Sequence, residues 1–235
     1  MTELSTWRRT PDATSGEFEG GPFGGEVSMF VVDAKPGEGP GPHWHPYTET
    51  FVILEGAARF RRGDLRVVAR AGDVVVVPPD TAHGFTALEP GGVRQLGIHA
   101  SPRFVQTWLD GANHDVPLKD ATLPSWRATP DETSGEFEGG EHGGEVTVIV
   151  VDAAPGRGPD LHWHPYTETF ILREGSGRFR LGDETIEASA GDALVVPAEV
   201  PHGFKAIERL RMVAVHAAPR FETHWLDEVS PPPES

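Results

Sequence analysis

The chain has 235 residues, a formal net charge of −16 at pH 7 and no cysteine. The acidic excess disfavours binding to nucleic acid or to an anionic membrane surface, and the missing cysteines exclude disulfides, thiolate nucleophiles and thiolate-ligated metal sites. Hydrophobic residues make up 37%, beside 28 Gly and 22 Pro, a composition that is too apolar for disorder and that indicates many short elements separated by turns.

The beginning of the chain, Met-Thr-Glu-Leu-Ser-Thr-Trp-Arg-Arg, lacks the apolar run of a signal peptide. No apolar stretch reaches the roughly 18 residues that are needed to span a bilayer. We therefore expect a soluble, cytoplasmic protein.

The chain is an internal duplication. The segment HWHPYTETF at 43–51 returns unchanged at 162–170, and IHASPRF at 98–104 matches VHAAPRF at 215–221. The halves predict two domains, 1–118 and 119–235, each of a size typical of one compact domain. Fusing the two copies gives a pseudo-dimer within one chain, and the whole protein could be a monomer or a homodimer.

In chain order, each half begins with an acidic, Gly-rich segment, GEFEGGPFGGE (16–26) and GEFEGGEHGGE (135–145). Such a segment could be a lid with glycine hinges or an edge that crosses to the other half. A series of β-branched runs bounded by Gly, Pro or Asp follows, and it predicts about eight short strands. Only 102–110 and 219–227 look helical, each with Pro at its start. The pattern predicts an all-β, jelly-roll-like barrel in each half, with a short terminal helix.

The strand after the first Pro-rich turn carries the candidate metal ligands. His43 and His45 alternate along a strand and therefore point to the same side, and Glu49 opens the next strand, where Phe51 and Ile53 share its face. Burying two imidazoles beside a carboxylate without an ion would cost several kcal/mol. His83 follows a β-branched strand and a Pro-containing turn, so a hairpin could return it to the same place. The second half repeats the set as His162, His164, Glu168 and His202.

The spacing from Gly37 to Gly56, G-(five)-HWH-(three)-E-(six)-G, resembles the first motif of the cupin superfamily, and GDVVVVPPDTAH at 72–83 resembles its second motif. Both recur in the second half. The resemblance implies a compact bicupin of two tandem double-stranded β-helix (RmlC-like) barrels. It also implies one divalent metal ion in each barrel, Fe, Mn, Ni, Co or Zn, at eight ligands: His43, His45, Glu49, His83, His162, His164, Glu168 and His202.

Two positions of the second motif depart from the family pattern. Asp80 and Glu199 stand where the family usually has a turn glycine, and Ala87 and Ala206 where it often has asparagine. Because Asp tolerates a left-handed conformation better than Glu, we expect the second turn to differ from the first.

Other residues near the ligands have structural alternatives. Tyr47 and Tyr166 are weak catalytic candidates that could hydrogen-bond a substrate or move a proton, but packing of the Pro turn is the favoured interpretation. His99 and His216 could support the ligands or line a pocket, although a strand-end role is favoured. The six Trp form three equivalent pairs and are most simply interpreted as core or interdomain packing residues.

The resemblance makes several functions possible. The leading hypothesis is a metal-dependent enzyme acting on a small oxygenated organic molecule, with dioxygenase-like oxidation as its chemistry, hence an oxidoreductase. The alternatives are a non-redox enzyme (isomerase, decarboxylase or hydrolase) and a protein that binds a small molecule, or only a stabilising metal, without catalysis. Neither a nucleic acid nor a membrane is expected as a partner.

Overall fold

The computed structural model describes residues 5–6, 8–9, 15–109, 123–125, 127–128 and 134–226. Within these ranges the chain forms strands and two short 3₁₀ turns, Gly21–Phe23 and Gly139–His142. No helix in this described part is long and apolar enough to cross a membrane.

Eleven strands belong to the first half: β1 Ser5–Thr6, β2 Arg8–Arg9, β3 Ser15–Glu19, β4 Ser28–Ala34, β5 His43–Trp44, β6 Glu49–Arg62, β7 Leu65–Arg70, β8 Val74–Val77, β9 His83–Ala87, β10 Val93–His99 and β11 Thr107–Trp108. The second half contributes β12 Arg127–Ala128, β13 Ser134–Glu138, β14 Thr147–Ala153, β15 His162–Trp163, β16 Glu168–Glu174, β17 Ser176–Leu181, β18 Glu184–Ser189, β19 Asp192–Val196, β20 His202–Ala206, β21 Leu210–His216 and β22 His224–Trp225.

The strands pair antiparallel in two equivalent sets. In the first half the order is β11-β5-β9-β6-β10-β4-β3-β2, with β7 and β8 also on β6. In the second half, β19-β16-β21-β14-β13-β12 form one sheet, and β18-β17-β20-β15-β22 form the other. These are the tandem jelly-roll barrels that the sequence predicted.

Alternation along the strands separates the barrel interior from the surface between the barrels. Phe51 and Ile53 of β6 belong to the interior cluster of the first barrel, and Phe170 and Leu172 of β16 belong to that of the second. Val52, between the first two, points the other way. The two-residue period of a strand thus directs alternate residues of β6 to the barrel interior and to the contact between the barrels.

A large hydrophobic cluster joins the two barrels, since its buried members come from both halves. Burying one aliphatic side chain of this size contributes about 1.5–3 kcal/mol, so the contact between the barrels is a substantial part of the fold. Its buried residues are Phe18, Val27, Met29, Val52, Leu96 and Ile98 with Val146, Val148, Ile171, Ala193, Val195, Val213 and Val215.

The acidic, Gly-rich segments form the connecting edge between barrels rather than a lid. Glu26 Oε2 accepts a hydrogen bond from Thr167 Oγ1 at 2.9 Å, and Glu145 Oε2 accepts one from Thr48 Oγ1 at 2.7 Å. Thr48 and Thr167 directly precede Glu49 and Glu168. Each half therefore supports the ligand-bearing strand of the other half.

Short pairings near the beginning of each half also cross between the barrels. Ser5 and Thr6 of β1 pair with Ala193 and Asp192 of β19 in the second half. Ser125 forms a bridge with Asp73 of the first half. The predicted junction between the halves at 113–124 falls mostly outside the described residues.

The prediction of a short terminal helix in each half is wrong. The described parts of 102–110 and 219–227 form bends and the two-residue strands β11 and β22. Their backbone groups are used in other ways: the Pro102 carbonyl accepts a hydrogen bond from Gly21 N, and the Val105 carbonyl accepts one from His45 Nδ1. Because a helix would turn these carbonyls along its own axis, the segment stays extended across the barrel mouth.

Candidate metal centres and the adjoining cavity

The first candidate centre lies inside the first barrel. β5 supplies His43, the residue after it is His45, β6 begins with Glu49 and β9 begins with His83. His43 and His83 are also Cα partners across β5 and β9. All four side chains are buried, and their ligand atoms lie within 4.8 Å of one another. The structure therefore brings the four residues that the sequence proposed into one buried cluster.

Backbone carbonyls fix the orientation of the three imidazoles. His43 Nδ1 donates to Gly41 O at 2.8 Å, His45 Nδ1 to Val105 O at 2.7 Å, and His83 Nδ1 to Thr81 O at 2.7 Å. Because a carbonyl only accepts, each Nδ1 carries the proton, and the lone pair lies on Nε2. His45 Nε2 and His83 Nε2 approach Glu49 Oε2 at 3.3 and 2.7 Å.

The second centre repeats this geometry, with His162, His164, Glu168 and His202 all buried and their ligand atoms within 4.8 Å of one another. The Nδ1 atoms of the three imidazoles again donate to carbonyls, at 2.7 Å in each case. His202 Nε2 lies 2.7 Å from Glu168 Oε2.

The electrostatics of the clusters favour metal ligation. Burial, with the neighbouring His83, lowers the pKa of His43 to about 4, so this imidazole is neutral at pH 7. Burial alone would raise the pKa of Glu49, but the surrounding imidazoles, His99 first among them, hold it below its usual range. Burial would likewise raise the pKa of Glu168, but the surrounding imidazoles, His216 first among them, hold it well below its usual range. Neutral imidazoles around a carboxylate form the donor set that divalent transition metals prefer.

The residues present fit an ion because several buried atoms lack a partner inside the protein. His45 Nε2, His164 Nε2 and His202 Nε2 have no hydrogen bond among the described residues, and neither has Glu168 Oε2. His202 Nε2 and Glu168 Oε2 lie close together but are not in hydrogen-bonding geometry. Leaving a buried polar atom unpaired costs about 1–3 kcal/mol, and one cation at each centre would remove this cost. Each barrel thus carries a buried His/Glu cluster suited to one metal ion.

His99 and His216 lie within the sites, not at capped strand ends as favoured from the sequence. Both are buried, and their Nε2 atoms lie 3.3 and 3.2 Å from Glu49 Oε1 and Glu168 Oε1. Burial lowers the pKa of His99 to about 4 although the Glu49 carboxylate opposes this. Alternation along β10 could have found His99, because it shares the inward face with Val93, three two-residue strand periods away.

The turns that carry Asp80 and Glu199 have the same conformation, contrary to the expectation that they differ. Asp80 has φ 55° and Glu199 has φ 63°, both left-handed. The reason is a tertiary hydrogen bond: Asp80 N donates to His45 O and Glu199 N donates to His164 O, each at 2.8 Å. These bonds connect each turn to a histidine of the cluster, so the turn geometry is imposed on Glu as well as on Asp.

A cavity of about 690 Å³ opens onto the first cluster. His43, Glu49 and His99 are among its polar lining residues, and aromatic side chains form much of its wall. A volume of this size is typical of sites for small organic molecules.

Trp108 and Trp225 are not the core residues that the sequence predicted. They are 61% and 64% exposed. Trp108 lines the cavity and packs edge-on against His43 at a centroid distance of 5.3 Å, because β11 pairs with β5 at the barrel mouth. Trp44 and Trp163 are half-buried, whereas Trp7 and Trp126 lie outside the described residues.

The two tyrosines hold the segment after the last long strand. Tyr47 OH donates to Val105 O at 2.9 Å and accepts from Val105 N at 2.8 Å. Tyr166 bonds the backbone of Glu222 in the same way, and burial raises its pKa to about 12. The packing role favoured from the sequence agrees with these bonds, because the phenol groups are occupied by backbone.

Comparison with known proteins agrees with this architecture. Residues 30–98 and 149–216 match the family model described as "Cupin domain". No curated protein sequence matches the chain significantly. Similar solved structures include two mutants of Bacillus subtilis oxalate decarboxylase. One has a TM-score of 0.74 at 18% identity over 89% of this chain and 74% of that one. The other has a TM-score of 0.78 at 15% identity over 95% and 79%.

A third similar structure is the formate complex of Lactobacillus farciminis oxalate decarboxylase, with a TM-score of 0.73 at 18% identity over 89% of this chain and 82% of that one. Another structure of the B. subtilis enzyme concerns its Mn(II) centres. At these identities the likeness establishes the fold alone. Because the family model matches more than half of the chain, once in each half, the protein belongs to the cupin superfamily and is a bicupin.

Proposed function

We propose that this bicupin is a metal-dependent enzyme that acts on a small oxygenated organic molecule, with dioxygenase-like oxidation as its leading reaction. The observation that carries the proposal is the cavity of about 690 Å³ that reaches two members of the first cluster, His43 and Glu49. A structural metal site is normally closed by its protein ligands, whereas a molecule in this cavity would meet the centre directly.

The proposed ligands bind one ion in each of the proposed domains, 1–118 and 119–235. Three imidazoles and one carboxylate leave room for water, dioxygen or a substrate oxygen on an ion that takes about five or six ligands. These nitrogen and oxygen donors are compatible with Fe, Mn, Ni, Co or Zn. The ligands are His43, His45, Glu49 and His83 in the first domain and His162, His164, Glu168 and His202 in the second.

The protein groups around the centre have defined tasks in this proposal. The carbonyls of Gly41, Thr81 and Val105 hold the imidazoles with Nε2 facing inward. Glu49 supplies one negative charge, and the aromatic wall of the cavity excludes bulk water from the reacting end of a bound molecule. When bound, the ion supplies a Lewis acid and, if it is Fe or Mn, a redox centre.

Metal analysis is the first test. The protein is purified without chelator or added metal, and its metal content is measured by elemental mass spectrometry. Two double variants, His43→Ala with His45→Ala and His162→Ala with His164→Ala, serve as matched controls for each other. We expect roughly two equivalents of Fe or Mn and the loss of one equivalent in each double variant. Less than about a tenth of an equivalent, unchanged by added metals, contradicts the proposal.

Oxygen uptake is the second test. Small phenols, enols and hydroxy acids are screened with an oxygen electrode, and we expect uptake that the first double variant abolishes. Two equivalents of Zn or Ni, or carbon dioxide release without oxygen uptake, would instead favour a non-redox enzyme. Decarboxylation is the second candidate reaction because oxalate decarboxylases share the fold.

A binding protein without catalysis is the remaining candidate, and the observation that favours it is the equally complete ligand set of both halves. Trp108 beside His43 provides a reporter for the distinction. A saturable change in tryptophan fluorescence with a small molecule, without turnover of that molecule under any metal loading, would favour binding alone.

A further inference from the structure

Three arginines surround a second cavity on the outer face of the first barrel. Arg59 and Arg61 of β6 alternate with Phe60, whose side chain is buried in the barrel interior, so both arginines point outward. Arg66 of β7 is the Cα partner of Arg61, and directly opposed residues of an antiparallel pair share a face. All three arginines line a cavity of about 210 Å³, the arginine cavity, and no acidic residue occurs among the described residues that line it.

The residues opposite Arg59 and Arg61 on β7 carry no negative charge. Arg61 stands opposite Arg66, and like charges directly opposite each other destabilise a sheet. Arg59 stands opposite Val68, and its Nε is buried and forms no hydrogen bond within the described residues. Because a buried charged donor without an acceptor is costly, Arg59 indicates an acceptor that the described residues do not provide.

Carboxylates balance the equivalent face of the second barrel. Arg178 corresponds to Arg59, and Glu187 opposite it accepts a hydrogen bond from Arg178 Nη2 at 2.8 Å. On the neighbouring strand, Lys205 pairs with Asp160 at 2.8 Å. The first half has uncharged residues at the positions of Glu187, Lys205 and Asp160, namely Val68, Thr86 and Gly41, and it has Arg66 where the second half has Thr185. The first barrel therefore presents three arginines on this face without either carboxylate.

The arginine cavity is separate from the cavity that adjoins the first metal cluster. The two cavities share the wall residues Gly39, Pro40 and Phe85, but no member of the His/Glu cluster lines the arginine cavity. The shared wall is closely packed, since a Cβ at Gly84 of β9 would lie only 2.8 Å from Pro40 O. An anion in the arginine cavity would therefore be bound by the arginines and not by a metal ion.

We propose that the arginine cavity is a binding site for a phosphate group, distinct from both metal centres. Guanidinium groups stay charged at physiological pH, and their planar array of N–H donors matches the oxygens of a phosphate. Arg59 supplies the donor that has no acceptor, and Arg61 and Arg66 supply further positive charge. A volume of about 210 Å³ limits the ligand to inorganic phosphate or the phosphate group of a small metabolite.

The test is a calorimetric titration of the full-length protein with inorganic phosphate, in a chloride buffer of constant ionic strength. We expect one saturable phosphate site per chain. Glycerol 2-phosphate is titrated in parallel to distinguish the two sources of the ligand. Tighter binding of the ester would assign the site to the phosphate group of a small metabolite, and tighter binding of inorganic phosphate would assign it to the free ion. Both outcomes support a phosphate site.

The second half provides the substitutions. Val68→Glu places a carboxylate opposite Arg59, as Glu187 stands opposite Arg178, and it should weaken phosphate binding at least about tenfold. Arg59→Gln should also weaken it at least about tenfold, because a charged donor is lost. Arg178→Gln is the matched control on the second barrel and should leave phosphate binding unchanged. Thermal unfolding and metal content, measured on the same samples, show whether each variant keeps its fold and its metal sites.

Absence of saturable phosphate binding would overturn the proposal, because the arginines would then be balanced by solvent ions alone. Binding that Val68→Glu and Arg59→Gln leave unchanged would also overturn it, since the phosphate would then be bound elsewhere, for example at a metal ion. Equal weakening by Arg59→Gln and Arg178→Gln would have the same consequence, because it would show a response to general surface charge and not to the arginine cavity.

Discussion

His99 and Glu49 are Cα partners on neighbouring strands, and His99 Nε2 lies 3.3 Å from Glu49 Oε1. The other carboxylate oxygen, Oε2, is the one that His45 and His83 approach. The two oxygens of Glu49 thus face different groups, and His99 is placed to fix the rotation of the carboxylate.

Replacing His99 should therefore weaken the first metal site without removing a proposed ligand. We expect His99→Leu to lower the metal affinity of this site by about 10–100-fold, as is usual for groups that orient metal ligands, and His99→Gln, which can still donate, to lower it less. The affinity is measured by competition with a chelator in the background of the His162→Ala and His164→Ala double variant. The same affinity in His99→Leu and the parent would contradict this role.

The stability of the metal-free protein, prepared with a chelator, depends on pH through its buried histidines. The pKa of His43, His99 and His162 is lowered from 6.5 to about 4 by burial, so the unfolded chain binds more protons than the folded one between these values. Their contribution to stability is complete above pH 6.5 and is lost as pH falls toward 4. His202 acts in the opposite direction: burial alone would lower its pKa, but the charge of the adjacent Glu168 carboxylate raises it.

Three histidines with a lowered pKa outweigh one with a raised pKa. We therefore expect the Tm of the metal-free protein to fall by roughly 5 °C or more when the pH is lowered from 6.5 to 5. Differential scanning calorimetry measures this change in a range where exposed carboxylates stay ionised. His43→Gln, which cannot titrate, should show a shallower dependence. A constant Tm across this range would refute the expectation.

The contact of Glu145 with Thr48 predicts that a change in the second half affects the first site. Glu145→Ala removes an acceptor that lies 2.7 Å from Thr48 Oγ1 and 3.4 Å from Thr48 N. We expect a loss of about 1–2 kcal/mol in the free energy of unfolding and weaker metal binding at Glu49.

Glu26→Ala is the matched variant, and it should weaken the second site through Thr167. Urea unfolding gives the stability of both variants, and chelator competition gives the affinity of each site. If both variants weakened the same site, or neither site changed, the proposed support across the barrels would be wrong.

The left-handed conformation of Glu199 predicts a stabilising substitution. The left-handed region costs a residue with a Cβ about 1–2 kcal/mol, and glycine avoids this cost. Glycine also makes the unfolded chain more flexible, which offsets about 0.4–1 kcal/mol of the gain. We expect Glu199→Gly to stabilise the protein by about 0.5–1 kcal/mol, or about 1–4 °C in Tm.

Metal content should not change in Glu199→Gly, because the bond from residue 199 N to His164 O uses only backbone atoms. Ala190→Gly is the control at an exposed turn residue that is not left-handed, and it should lower Tm. A lower Tm for Glu199→Gly would show that the side chain compensates for its backbone conformation.

The strands and the ligand clusters could be predicted from the sequence because they depend on local alternation. His43, His45 and Glu49 lie close together in the chain, and the period of a strand suffices to place them on one side. Asp80 and Glu199 illustrate the limit of local preference. Their side chains favour different turns, but a hydrogen bond to a histidine carbonyl imposes the same turn on both.

The segments after β10 and β21 could not be predicted because distant partners determine their backbone. Phe104 and Trp108 have the spacing of a helix face and follow a proline, yet the Val105 carbonyl between them is bonded by His45 and Tyr47. The exposure of Trp108 has the same origin, because a residue beside a barrel mouth can serve a cavity without being in the core.

The reciprocal contacts Glu26–Thr167 and Glu145–Thr48 bear on how such a chain can evolve. After duplication, neither copy retains all the groups that hold its own ligand strand, so loss of one copy would leave the other incomplete. The duplication is consequently difficult to reverse. The inward-facing positions are under no such mutual constraint, and Gly97 and Ala214 show that the two interiors have already diverged while their shared boundary kept its symmetry.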